Sequence, residues 1–366
     1  MSRLVTEPVT RAEATQRAGR AGRVAEGTCY RLWTKGEEGA LRAYPPAEIE
    51  VADLAGLALE LALWGAQPGD LAFLTPPAPG SYAEAQSLLR MLGALDRENR
   101  ITPHGKALAA LPLHPRLAHM LAMAGPDAAP LAALLAERDP LPRGAPVDLS
   151  LRLAAVRDPK GFADHSPHQP SRPVIERIRT EAKRLARTAT RAGDGAMSDA
   201  AAAALAYPDR VGLRRKGDAP RYVLSGGKGA VLPEGDPLSG TRLIVATDLD
   251  GDRREARIRQ AIRIEEAELR ALFADQIGWH DICEWDRRER RVVTRQQERF
   301  GALALDDRVW KDPPPDAVAR AMLDGVRDLG LRWPDAARRF TARVELLREA
   351  GGDLPDTSEP ALMASR

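Results

Sequence analysis

The stretch TRAEATQRAGRAGRVAEGTCYRLW, residues 10–33, interleaves Gly19 and Gly22 with Arg17, Arg20 and Arg23 directly after a well-marked helix start. Thr10 and Glu13 have the spacing of a capping box, in which each side chain satisfies the other residue's free backbone N–H. A helix running on through the two glycines loses about 1 kcal/mol at each relative to alanine. Such a cost calls for a reason. Counted along a helix from Gln16, Arg20 lies four residues on and Arg23 seven. The spacing therefore predicts all three on one stripe, with Arg17 pointing elsewhere. Glycine beside that stripe removes side chains that would hold off a bulky partner. One amide and two guanidiniums presented together suit phosphate oxygens.

The rest of the composition bounds the answer. The chain has 366 residues, 44% hydrophobic and 29% charged, which is the composition of a globular protein with room for several cores. Its net charge is only +2, so any polyanion partner must be argued from local clusters. The two cysteines, Cys29 and Cys283, form no paired motif and point to a reducing compartment. No run of about 18 apolar residues is present, and the N-terminal residues carry no signal-peptide pattern, so a cytoplasmic location off the membrane is expected.

The residues Gln16–Arg23, QRAGRAGR, resemble motif VI of superfamily 2 helicases in its DEAH-box form. That resemblance implies that Gln16 orients the attacking water at a nucleotide γ-phosphate. It also implies that Arg20 and Arg23 act as arginine fingers across a cleft between two RecA-like domains. ATP and Mg2+ would be bound in the complete helicase. No P-loop and no D-E-A-H run occur in this sequence. SGGKGA at 225–230 lacks both the first glycine and the Ser/Thr of a P-loop and is expected to be a hairpin turn. The resemblance thus implies a helicase fragment without its Mg2+ ligands, inactive alone, with the missing RecA-like portion as a partner.

Downstream, VADLAGLALELALWG predicts a helix burying Leu54, Leu57, Ala58, Leu61 and Trp64 and ending at Gly65. Ser81 and Glu84 have capping-box spacing ahead of a helix burying Ala85, Leu88, Leu89 and Leu92. Thr102 and Pro103 are placed as N-cap and first helical residue of the next. LLRMLGALDRENRITPHGKALAALPLHPRLAHML is similar to the winged-helix and ratchet junction of DEAH-box proteins. Residues 111–206 are expected to be helical, with breaks at Pro126, Pro140 and the proline-rich run 158–173. His165 and His168 fall in that run as loop residues, and no metal site is expected. The helix 173–191 carries an apolar stripe of Val174, Ile175, Ile178, Ala182, Leu185 and Ala189. Opposite lie Arg177, Lys183, Arg184, Arg187 and Arg191, in a window with seven basic residues against two acidic. These five are the candidate contacts to single-stranded RNA or DNA, the alternative being a solvated face.

RYVL, GAVL, TRLIVAT and ARIRQAIRI predict short strands of a small barrel, with Ile258, Ile262 and Ile264 inside and Arg257, Arg259 and Arg263 outside. DLDGDRREARIR has the spacing of a calcium loop but places Arg253 and Arg259 where glycine and glutamate belong, and is expected to be a turn. Helices are expected near 314–329 and 334–350. ALAYPDRV and DICEWDRRERRV look like the C-terminal region of HrpB-type DEAH-box helicases.

The expected fold is a mainly α, multidomain chain with a small β-barrel. Its parts are the tail of a second RecA-like α/β domain (1–44), beginning at a late strand SRLVTEPVT, a winged helix (45–110) and a helical ratchet domain (111–206). An OB-like β-barrel (207–282) and an α/β C-terminal region cut short (283–366) complete it. Two function classes stay open: part of an ATP-dependent helicase, or a nucleic-acid-binding winged-helix/OB module without enzymatic activity or a decayed remnant.

Overall fold

The computed structural model of the protein describes residues 8–189, 197–252, 255–331, 333–358 and 361–362. The chain divides into two compact units, 1–272 and 273–366.

The first unit opens on α1 (Arg11–Ala21), capped as expected: the Thr10 N–H donates to Glu13 Oε2 at 2.8 Å and the Glu13 N–H to Thr10 Oγ1 at 3.3 Å. The strand expected at 2–10 lies mostly outside the described residues, and 8–10 carry no strand. Two short helices follow, α2 (Lys35–Ala40) and α3 (Glu48–Val51). Then α4 (Ala55–Trp64), α5 (Pro79–Met91), α6 (Pro103–Ala109) and α7 (Pro115–Ala124) surround a core of Leu54, Ala58, Leu59, Leu61, Leu89, Leu108 and Ala118. Gly65 ends α4 at φ 73°, a left-handed backbone that suits glycine. Trp64, expected in that core, is 69% exposed, and Leu59 is buried instead. Ser81 does not cap α5. Pro79, with its preset φ, starts the helix two residues earlier, so Ser81 sits inside the first turn. Thr102 does cap α6, accepting from the Gly105 N–H at 3.0 Å. Between α5 and α6 a narrow hairpin forms, with Leu95 bridging Ile101 and Asn99 at φ 62°.

The helical stretch continues with α8 (Ala129–Ala136), α9 (Leu149–Arg157), α10 (Pro159–His165), α11 (Arg172–Thr188) and α12 (Asp199–Ala206). The region of α10 was expected to be loop. Asp158 caps it, and His165 closes it through a 2.8 Å contact from Nδ1 to the Gly161 carbonyl.

Five strands, β1 (Val211–Arg214), β2 (Arg221–Leu224), β3 (Gly229–Val231), β4 (Leu243–Leu249) and β5 (Glu255–Arg263), close into a barrel of order β1-β2-β3-β5-β4. Only the β3–β5 pair is parallel. The SGGKGA segment is the β2–β3 hairpin turn, with Gly227 at φ 88°. Along β5, Ala256, Ile258, Gln260 and Ile262 are buried while Arg257 and Arg263 are exposed. Ala261 breaks the alternation where the β4–β5 register shifts twice, between Ala246 and Asp248 and between Asp248 and Leu249, and it joins Ile258 and Val147 in the barrel core. In the calcium-like turn, Asp250 Oδ1 accepts the Asp252 and Arg257 N–H groups; Arg253 lies outside the described residues. Helix α13 (Glu266–Leu272) ends the unit.

The second unit is a three-stranded antiparallel sheet, β6 (Ile277–Asp286), β7 (Arg291–Phe300) and β8 (Leu303–Val309), with α14 (Pro315–Leu329) and α15 (Asp335–Glu349). Gly325 of α14 admits the Trp285 ring: a Cβ there would meet ring atoms at 2.5 to 2.8 Å. The boundary expected at 282/283 falls inside β6, whose ten residues all pair with β7, so no domain edge can lie there.

Candidate functional sites

The motif-bearing helix is held at its start and open at its end. Backbone bonds from Arg11 to Arg42 (2.9 Å) and from Ala12 to Ala43 (3.0 Å) tie α1 to the chain that returns past it, and Ala14 is buried beneath. The Thr10 N–H and hydroxyl, donating to Glu13, hold its carboxyl below the usual glutamate range, so the cap stays ionised. Gln16 and Arg20, one turn apart, are both exposed. Arg23 is exposed too, but α1 stops at Ala21 and Gly22 is its cap, so Arg23 leaves the helical stripe on which spacing placed it. Glycine is a poor helix former, about 1 kcal/mol worse than alanine, and the chain leaves the helix at Gly22. Nothing lies within 4 Å of where a Cβ on Gly19 or Gly22 would sit. The side chains of Gln16, Arg20 and Arg23 have no hydrogen-bond or ion-pair partner among the described residues. Beyond them, Val24 (101% exposed) and Leu32 (93%) show that this end of the unit is uncovered apolar chain.

On α11 the apolar stripe is as expected. Val174, Ile175, Ile178, Ala182 and Leu185 are buried on the side packed against α8, while Ala189 is half-buried. The charged face splits in two. Arg177 pairs with Glu137 at 3.1 Å, and Arg184 holds Glu181 at 2.5 Å; both carboxyls are held below their usual range, chiefly by those hydrogen bonds. Lys183 and Arg187 are exposed with no ion-pair partner among the described residues, and Arg191 lies outside those residues. Arg172 and Arg179, not singled out from sequence, are also exposed and unpaired among the described residues. Positions 172, 179, 183 and 187 follow helical spacing, so the uncommitted cations form one stripe and the committed ones another. The i, i+4, i+8 run of Arg179, Lys183 and Arg187 was the available signal.

A third cluster joins distant parts of the first unit. Arg116, at the start of α7, forks onto Asp209 at 2.6 and 2.9 Å and donates to the Ala206 carbonyl at 3.0 Å. The Tyr207 ring lies under two guanidiniums, Arg116 at 5.2 Å and Arg210 at 5.1 Å. Burial acts to raise the Asp209 carboxyl, and the bonds and charge of Arg116 overcome it, holding it ionised. The YPDR of ALAYPDRV is therefore occupied in tying helices to barrel. A similar tie runs from Arg152 through Asp139, 2.9 Å from its Nη2, to the Gln260 amide of β5 at 3.1 Å. Between α6 and α7, His104 Nε2 and His119 Nδ1 meet at 2.8 Å.

Residues 85–113 match the family described as helicase associated domain (HA2), winged-helix. The chain is 33% identical over 360 residues to the ATP-dependent RNA helicase HrpB of Escherichia coli, covering 95% of this chain and 41% of that protein. It is 40% identical over 124 residues to the human probable ATP-dependent RNA helicase DHX35, covering 33% of this chain and 18% of that protein. The crystal structure of the E. coli DExH-box NTPase HrpB aligns with all of this chain and 44% of its own at a TM-score of 0.68, with 31% identity. The chain thus spans less than half the length of these relatives, and the region it matches is the C-terminal region of HrpB-type DEAH-box helicases.

Proposed function

We propose that this chain, a homologue of the C-terminal region of HrpB-type DEAH-box helicases, supplies the arginine fingers and part of the nucleic-acid channel of an ATP-dependent RNA helicase. The observation that carries this reading is the exposed end of α1, where Gln16, Arg20 and Arg23 stand unpartnered beside two glycines with open space around them. Gln16 would orient the attacking water. Arg20 on the helix and Arg23 just past it would approach the γ-phosphate oxygens from two directions. Guanidiniums are suited to that task because they stay charged and fork onto phosphate. The uncovered Val24 and Leu32 favour a partner surface here, and a RecA-like portion fits it.

Among the described residues no group of three or more His, Cys, Asp and Glu side chains is arranged to hold a metal ion. The sequence holds no P-loop and no D-E-A-H run, so in this reading ATP and Mg2+ would be bound chiefly by the RecA-like portion of the complete helicase. The winged helix, the helices to α12 and the OB-like barrel would line the path of a single strand, with Arg172, Arg179, Lys183 and Arg187 gripping phosphates.

Two assays test this. The chain with ATP and RNA is expected to hydrolyse nothing above background; hydrolysis that disappears in Arg20→Ala would overturn that expectation. Anisotropy of labelled single-stranded RNA should weaken in Arg179→Ala/Lys183→Ala/Arg187→Ala and stay near wild type in Arg177→Ala/Arg184→Ala. Equal effects of the two variants would remove the free stripe from the reading. Tight, sequence-dependent, salt-insensitive binding would favour a regulatory winged-helix module instead.

A further inference from the structure

The β6–β7 hairpin carries DRRERR, residues 286–291, at its tip. Its two arms pair without interruption from Ile277 with Phe300 to Asp286 with Arg291, a ladder of roughly 30 Å at the usual strand rise. The tip is held in shape. Asp286 Oδ1 accepts the backbone N–H groups of Arg288 (2.8 Å) and Glu289 (2.9 Å). Beneath it, Trp285 packs on Gly325 and donates from Nε1 to Asp328 Oδ2 at 3.2 Å.

The four arginines of the tip are not equivalent. Arg287 pairs with Asp328 at 3.3 Å and Arg291 with Glu289 at 2.5 Å. Arg288 and Arg290 are exposed and have no hydrogen-bond or ion-pair partner among the described residues. Arg290 also sits at φ 51°, a left-handed position that glycine or asparagine fills at lower cost. A turn that keeps arginine there gives up stability, and such exceptions cluster where a side chain is used.

We propose that this tip is a second nucleic-acid contact, in which Arg288 and Arg290 hold phosphates of a single-stranded RNA. It is a surface separate from the α11 stripe and lies in the other unit of the chain. Two uncommitted guanidinium forks on a pre-shaped loop favour phosphate, because each fork binds two oxygens and little ordering remains to be done on binding. RNA is the polyanion at hand, since the relatives that the chain matches are named RNA helicases.

The test is fluorescence anisotropy of the whole chain with a labelled oligouridine at two NaCl concentrations. Arg288→Ala/Arg290→Ala should weaken binding roughly fivefold at the lower salt and flatten the slope of log affinity against log salt by about 1.4, about 0.7 for each lost phosphate contact. Arg290→Gly separates binding from folding: it should raise or preserve the melting temperature while weakening affinity about twofold. A purely structural role would move both readings in the same direction. Unchanged affinity and slope in the double variant would overturn the proposal. So would a polyglutamate peptide competing as well as unlabelled RNA, which would make an acidic protein the partner. The α11 variant reports independently: loss there with a silent hairpin refutes this inference alone, and the reverse refutes only the channel reading.

Discussion

Acidification should loosen the junction of α6 and α7, and His119 should account for it. The two imidazoles meet edge to face, with centroids 5.0 Å apart and planes at 85°. Their 2.8 Å N···N contact has room for one proton, so it cannot form with both rings protonated. Burial, reinforced by the proximity of His104, pushes the His119 imidazole down to about 4, and burial lowers His104 as well. The direction of the effect follows from linkage. An unfolded His119 takes up its proton near pH 6.5, whereas the folded ring resists until about pH 4. The stabilisation is therefore fully present above pH 6.5 and is lost as pH falls toward 4. At pH 5 these two values correspond to a loss of about 2 kcal/mol, at 1.36 kcal/mol per unit. The assay is native-state hydrogen exchange of the α6 and α7 amides at pH 7 and pH 5, for wild type and His119→Leu. The variant has its own stability at pH 7, but its change between the two pH values should be smaller than that of wild type by about 2 kcal/mol. A difference below about 0.5 kcal/mol would refute the argument, because it would mean the folded ring protonates as freely as the unfolded one.

Two further outcomes follow from packing. Arg116→Ala should destabilise the first unit by about 1–3 kcal/mol, because half-buried Asp209 would lose the fork that keeps it ionised and retain only Arg210 at 3.8 Å; urea denaturation checks this, and a loss under about 0.5 kcal/mol would contradict it. Gly325→Val should cost the second unit about 1–3 kcal/mol or more, since even the first added carbon would meet the Trp285 ring at 2.5 Å. Tryptophan fluorescence during unfolding reports it, and an unaltered transition would show that the ring moves aside freely.

The features legible in the chain by itself are those decided within about one turn or one strand. Thr10 with Glu13 and Thr102 with Pro103 start helices because cap chemistry needs only three residues. The apolar stripe of α11, the inside and outside of β5 around Ile258, and the glycine turn at 225–228 are set by periodicity and backbone freedom in the same way. Even Gln16 and Arg20 on one exposed face follow from spacing. Local competition already spoils some readings: Pro79 outranks Ser81 as a start signal, and Gly22 ends α1 before Arg23. What only the tertiary structure decided is which groups find partners far along the chain. Glu137 takes Arg177 from forty residues away, the shifted β4–β5 register buries Ala261 against the rule of alternation, and Asp209 recruits Arg116 from across the first unit. Trp64 is 69% exposed, with no other described residue of that unit covering its side of α4. Burial and ion pairing depend on what arrives from elsewhere in three dimensions, whereas caps and periodicity depend on neighbours that the covalent chain has already placed.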